Sequence, residues 1–240
     1  MAPRSILAFL CVLLAGGSLA EERTITLVGD KWCPFNCNDH PDHRGVLVEK
    51  AASALAEEGF KLEYIEIPWS RAIISVRDGQ YDAIVGTGIS ETPDFHFPPE
   101  PLANAHHSFF TLPTSAWEYQ GLESLKDIRI GVIQDYSYGG LYEDYIKENQ
   151  DNESRVVILR GDRVLPRLVE MLGLGRIDVL VAEERVLNYH FALSGQENPL
   201  RHAGLANEEA LYVAFSPALD DGAEFAEALG HGMKKIEKSP

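Results

Sequence analysis

Cysteine is scarce in this 240-residue chain, with three residues: Cys11, Cys33 and Cys37. Positive charge is short as well: 21 Lys and Arg face 37 Asp and Glu, a formal net charge of −16. That balance argues against nucleic acid and anionic membrane surfaces as partners, and fits a soluble protein. Beyond the first twenty residues, no apolar run approaches the roughly 20 residues that span a bilayer. HExxH, GxSxG and P-loop motifs are missing too, so the sequence alone establishes no nucleophile–base pair and no catalytic residue.

The first twenty residues, MAPRSILAFLCVLLAGGSLA, carry a short basic start at Arg4, an apolar stretch from Ile6 to Ala15, and small residues at Ser18 and Ala20. This is the pattern of a cleaved secretory signal; about ten apolar residues are too few for a membrane anchor. Cleavage near Ala20 is expected, with a periplasmic destination. The remaining chain then holds only Cys33 and Cys37, and an even, isolated pair in an oxidising compartment reads first as a disulfide.

The rest alternates between strand and helix. TITLVG (24–29), KLEYIEI (61–67) and YDAIVG (81–86) read as strands. Val46–Glu58 carries apolar residues at helical spacing, and Trp69–Arg77 is a short helix. The order recurs: strands at 129–133, 155–159 and 177–182, helices at 140–148 and 164–172. Two local matches support a duplication. VRDGQYDAIVG (76–86) parallels LGLGRIDVLVA (172–182), and TLVGDKW (26–32) parallels GVIQDYS (131–137). SFFTLPTSAW (108–117) reads as extended and LYVAF (211–215) as a strand, followed by an amphipathic helix from about 222 to 236. That helix has no second-unit element left to complete, so it is expected to return to the first unit. The spacing predicts two α/β lobes sharing a cleft at the carboxyl ends of their strands.

These residues resemble solute-binding protein family 3, the periplasmic receptors of polar amino-acid ABC transporters. The matching stretches are WCPFN (32–36) with GVLVE (45–49), IPWSRAIISVRDGQYDAIVGTGIS (67–90), FPPEPL (97–102), SLKDIRIGVIQDYSYG (124–139), LGRIDVLVAEE (174–184) and LYVAFSP (211–217). The resemblance implies a two-lobed periplasmic binding protein of the type II architecture, with α/β lobes joined by a two-strand hinge. Lobe one would comprise 21–112 plus 212–240, and lobe two 113–211. It implies capture of a small polar solute, amino-acid-like or related, for an ABC transporter permease or a membrane sensor. No cofactor and no metal are expected, and the protein is expected to act as a monomer. The alternatives are a cyclohexadienyl dehydratase-like enzyme on the same scaffold, and a signalling module that docks a receptor.

Two departures stand out. The family follows the segment matching GTGIS with an Arg that clamps the ligand carboxylate; here ETPDF (91–95) follows, without Arg or Lys. The chain also stops at KKIEKSP, where the family continues with a turn and another short helix.

Candidate site residues follow from the strand ends. The loop from Cys33 to His43 offers C-x3-C-x2-H-x2-H, four potential zinc ligands. They are crowded into eleven residues with two prolines, which favours the disulfide. Trp32 or Phe35 would cover a ligand, or pack as core. Trp69 opens a helix, as packing or as a cleft wall, and Arg71 is either a solvated charge or the anion contact missing after GTGIS. Thr87 and Ser90 could donate hydrogen bonds from a Gly-rich turn. Tyr136 and Ser137 lie in Asp135–Gly140, where a helix start favours an anionic group and tyrosines offer stacking faces. Glu183 matches the family position whose Asp binds the ligand ammonium, or caps the following helix. His106 and His107 read as surface residues.

Overall fold

The computed structural model describes residues 23–38, 43–134, 136–138, 140–161 and 163–238. The expected signal segment, together with His40, Asp135 and Gly139, lies outside them.

Eight strands form one curled sheet in the order β2-β1-β3-β8-β4-β7-β5-β6. They are β1 (Thr24–Gly29), β2 (Lys61–Glu66), β3 (Ala83–Thr87), β4 (Ala103–Thr111), β5 (Ile130–Ile133), β6 (Val156–Leu159), β7 (Val179–Glu183) and β8 (Arg201–Phe215). Among the described residues six α-helices intervene: α1 (Val46–Ala56), α2 (Trp69–Arg77), α3 (Gly140–Asn149), α4 (Val164–Gly173), α5 (Glu184–Ala192) and α6 (Gly222–Ile236). Within the sheet, β1 runs parallel to β2 and β3, and β5 runs parallel to β6 and β7. Each triplet is a parallel unit whose central strands read as apolar runs, because helices cover both faces.

Each unit has its own core. In the first lobe Leu27, Leu55, Phe215, Phe225 and Met233 pack under α1 and α6, and Val28, Trp69, Ile84 and Phe95 pack under α2. In the second, Phe109, Ile130, Tyr142 and Val179 form one layer, and Phe110, Leu168, Leu180 and Leu187 the other. As expected of a helix with no second-unit element left to complete, α6 returns to the first lobe. Gly232 permits this close approach, because a Cβ there would overlap the Ala54 backbone of α1.

The two antiparallel strands β4 and β8 join the lobes. β8 pairs with β3 through residues 212–215 and with β4 through 201–211, while β4 pairs with β7 through 107–110. The β4–β8 register shifts between His107 and Ser108 and again before Phe110. Such irregularities bend and twist a strand pair, here midway between the lobes.

The repeated sequence has a structural counterpart. Asp82, just before β3, accepts hydrogen bonds from the Thr26 amide at 2.7 Å and from its hydroxyl at 2.5 Å. Asp178, just before β7, accepts one from the Arg129 amide at 2.7 Å. In both lobes the aspartate of the repeat ties the third strand to the start of the first.

Candidate functional site between the lobes

Strand direction places the chemistry. β1, β3 and β5 end at the same gap, so the loops that leave them face each other across it. A cleft of about 940 Å³ opens there, lined by Trp32, Ile67, Trp69, Tyr136, Arg163 and Glu183, among others. Adjoining it, and sharing Asp30, Trp32, Trp69, His107 and Tyr136 with it, is a smaller chamber of about 30 Å³ also walled by Gly86, Glu91, Ser137 and Glu209.

Three carboxylates converge on the chamber from three elements. Asp30 follows β1; the Tyr136 hydroxyl of the second lobe donates to its Oδ2. Glu91 follows β3 and accepts from Trp69 Nε1 at 2.8 Å and from Thr87 Oγ1 at 3.0 Å. Glu209 lies on β8, accepts from Ser137 Oγ at 2.9 Å, and has its Oε2 3.6 Å from His107 Nε2. Gly88 makes room for it, since a Cβ there would collide with the Glu209 carboxylate. Charged oxygens lose hydration in such a space. Burial pushes Asp30 up to about 6, against the hydrogen bonds from Tyr136 and Asn36. Burial likewise pushes Glu91 up to about 8, helped by the nearby Glu209 and Glu143 charges.

Of the residues singled out in the sequence, Trp32, Trp69, Tyr136 and Ser137 come together around the chamber. Trp69 and Tyr136 meet edge to face at 6.3 Å across the gap. Thr87 lies behind the wall and orients Glu91. Phe35 is fully buried, stacked on Trp32 at 4.5 Å, with the Arg185 guanidinium 4.4 Å from its ring centre; it lines neither cavity. Arg71 and Ser90 are exposed and also line neither. Glu183 reaches the wide cleft but is already engaged. It accepts from the Arg185 and Val186 amides at 2.6 and 3.0 Å and pairs with the Arg185 guanidinium at 2.8 Å.

Cys33 and Cys37 are joined as a disulfide, with Cα atoms 5.1 Å apart. The bond closes the loop beneath Trp32, so the cysteines are structural partners of the cleft wall. Among the described residues, no group of His, Cys, Asp and Glu is placed to hold a metal ion.

The structure corrects one expectation. His106 is partly exposed, as a surface residue should be, but His107 is buried, at 3% exposure. Alternation along β4 turns successive side chains to opposite faces, and the face of His107 is the chamber wall. Asp30, Glu91 and Glu209 were also absent from the sequence candidates. Glu91 carried a signal, since it immediately follows the Gly-rich turn, at the head of the segment where the family has its Arg. Glu209 carried none, lying in a polar stretch with no motif.

No protein-family model and no curated protein matches the sequence. Solved structures do match its fold. A histidine kinase sensor domain similar to periplasmic binding proteins superposes with a TM-score of 0.73 at 20% identity, covering 90% of this chain and 91% of that one. An ancestral arginine-binding protein bound to arginine gives 0.69 at 17%, over 90% and 93%. An amino acid ABC transporter substrate-binding protein of Streptococcus pneumoniae, bound to L-arginine, gives 0.66 at 20%, over 90% of each chain. With its two α/β lobes, two joining strands and interlobe cleft, this chain has the fold of the two-lobed type II periplasmic binding proteins.

Proposed function

We propose that this protein is an exported solute-binding protein. It captures a small polar solute between its lobes and presents the closed complex to an ABC transporter permease or a membrane sensor. The observation that carries this reading is the chamber itself, whose walls come from both lobes and from both joining strands. Closing the lobes therefore completes the site, and opening them dismantles it. Bending would occur where β4 and β8 cross, at 105–108 and 207–211. On this reading the first crossing lies within β4, before Phe109 and Phe110, which pack with the second lobe, rather than at 112/113, and the second lies at 211/212 within β8.

No covalent chemistry is required. Affinity would come from desolvating the solute between preformed aromatic walls and satisfying its polar groups. The dehydratase alternative fits the chamber poorly: prephenate carries two carboxylates, and it would enter beside Asp30, Glu91 and Glu209. Like charges at that range in a poorly hydrated space repel.

A thermal-shift screen of the protein lacking residues 1–20 tests the reading, with amines, amino acids, organic acids and short peptides. A solute at about a hundredfold its Kd adds roughly 2.7 kcal/mol of stability. At least one class should raise Tm and also reduce the radius of gyration in solution scattering. Failure of every class, with no compaction, would remove the proposal.

A further inference from the structure

The chamber is short of positive charge. Glu183 has Arg185 beside it, and Asp94 has Arg77 at 2.8 Å. Asp30, Glu91 and Glu209 instead receive hydrogen bonds from neutral donors: Tyr136, Trp69, Thr87 and Ser137. Among the described residues no Lys or Arg lines the chamber, and His107, 3.6 Å from Glu209, is the one lining group able to carry positive charge; Lys31, Arg160 and Arg163 line the wide outer cleft. Partly withdrawing carboxylates from water without a compensating cation is unfavourable, so the missing charge should arrive with the occupant.

A second observation points to an occupant. His107, which forms part of the wall, is 3% exposed, and its Nδ1 has no hydrogen-bond partner among the described residues. Orphaned buried polar atoms are rare in native structures and need a reason.

Size and geometry narrow the class. The chamber has room for a group near the size of a water molecule, which suits an ammonium or the tip of a guanidinium. The Trp32, Trp69 and Tyr136 rings flank it, and aromatic rings attract desolvated cations. A carboxylate has about four lone-pair sites, and each of these three uses only some of them, so N–H donors can still be accepted.

We propose that the chamber between Asp30, Glu91 and Glu209 takes the N–H-bearing cationic end of an organic amine or guanidine, and that the ligand needs no carboxylate to bind. The rest of the ligand lies outward in the wide cleft. This inference rests on the solute-binding reading above and specifies its ligand class.

The probe pair is agmatine and arginine, which share a guanidinium end and differ by one carboxylate. Titration calorimetry at pH 8 should find agmatine bound at least as tightly as arginine, with glutamine and glutamate at least a hundredfold weaker. Agmatine affinity should rise at least tenfold from pH 6 to pH 8.5, because the cation displaces protons from the carboxylates while agmatine stays charged. The groups facing Glu91 are Trp69, Thr87, Glu209 and Glu143; those facing Asp30 are Tyr136, Asn36 and Glu66; those facing Glu209 are Ser137 and His107. Glu91→Gln and Asp30→Asn should each weaken agmatine at least thirtyfold while leaving Tm unchanged or raised, a combination that a purely structural role would not give. Arginine binding tenfold more tightly than agmatine would overturn the inference, as would tight binding of glutamine or glutamate. Either result would leave the solute-binding reading intact, whereas the absence of binding by any solute class would remove both.

Discussion

Both lobes are built on a parallel three-strand unit, β2-β1-β3 in one and β6-β5-β7 in the other, each tied by an aspartate before its third strand. At the gap they part company. The first lobe ends its strands in carboxylates, Asp30 and Glu91, and in tryptophans. The second ends its central strand in hydroxyl donors: Tyr136 reaches across to Asp30, and Ser137 donates to Glu209 on the joining strand β8. The scaffold is duplicated while the chemistry is divided, so neither lobe alone presents a complete site.

The most disruptive way to probe this comparison is through the cores. Phe109 in the second lobe packs against Trp117, Tyr119 and Tyr142; Phe225 in the first packs against Phe60 and Phe215. Truncating either to Ala should destabilise by about 3–5 kcal/mol. Hydrogen exchange should show the lost protection concentrated in the mutated lobe if each lobe is held by its own core. Uniform loss across both would instead mark a single cooperative unit.

A smaller effect is expected from pH. The raised carboxyls of Asp30 and Glu91 favour the folded state while protonated. That contribution is present in full below the ordinary carboxylate range and is lost as pH rises, for Asp30 through about 6 and for Glu91 through about 8. The unliganded protein should therefore be less stable at pH 8.5 than at pH 5. Glu91→Gln should recover on the order of 2 kcal/mol at the higher pH, since each pKa unit is worth about 1.4 kcal/mol. Denaturant melts of both proteins at the two pH values check the sign, and a wild-type protein more stable at pH 8.5 would contradict it.

The two tie aspartates should rank by their partners. Asp82→Ala loses bonds to an amide and a hydroxyl and should cost about 2 kcal/mol; Asp178→Ala loses one amide bond at an exposed site and should cost about 1 kcal/mol. The smallest effect is expected at Arg71. It is exposed and outside both cavities, so Arg71→Ala should leave solute affinity within twofold.

The fold was largely legible because each parallel unit shows a strand, a Gly or Asp punctuation and an apolar helix stripe. The parts that escaped were those stabilised by partners rather than by pattern. RHAGLANEEA (201–210), polar and glycine-containing, is the first two-thirds of β8 because β4 supplies its ladder. ERVLNYHFA, signalled only by the alternative that Glu183 caps a following helix, becomes α5 with Leu187 and Phe191 as its buried residues, and Glu183 is its cap. The site was legible in its aromatics, which strand-end position singles out. Its carboxylates were not, because Asp30, Glu91 and Glu209 lie far apart in sequence and are brought together by strand order, Asp30 and Glu91 from adjacent strands and Glu209 from β8. His107 was hidden by its neighbour, since a His-His pair gives no hint of which one faces inward.

Interlobe distance tests the central claim most directly. Fluorophores placed at Glu57→Cys in the first lobe and Glu148→Cys in the second, both exposed positions, would report it in the protein lacking residues 1–20, with Cys33 and Cys37 kept disulfide-bonded. The account predicts that energy transfer shifts saturably as agmatine is added, with a midpoint matching its calorimetric Kd. Tight binding with no change in transfer would contradict it, because the solute would then be held without the lobes moving.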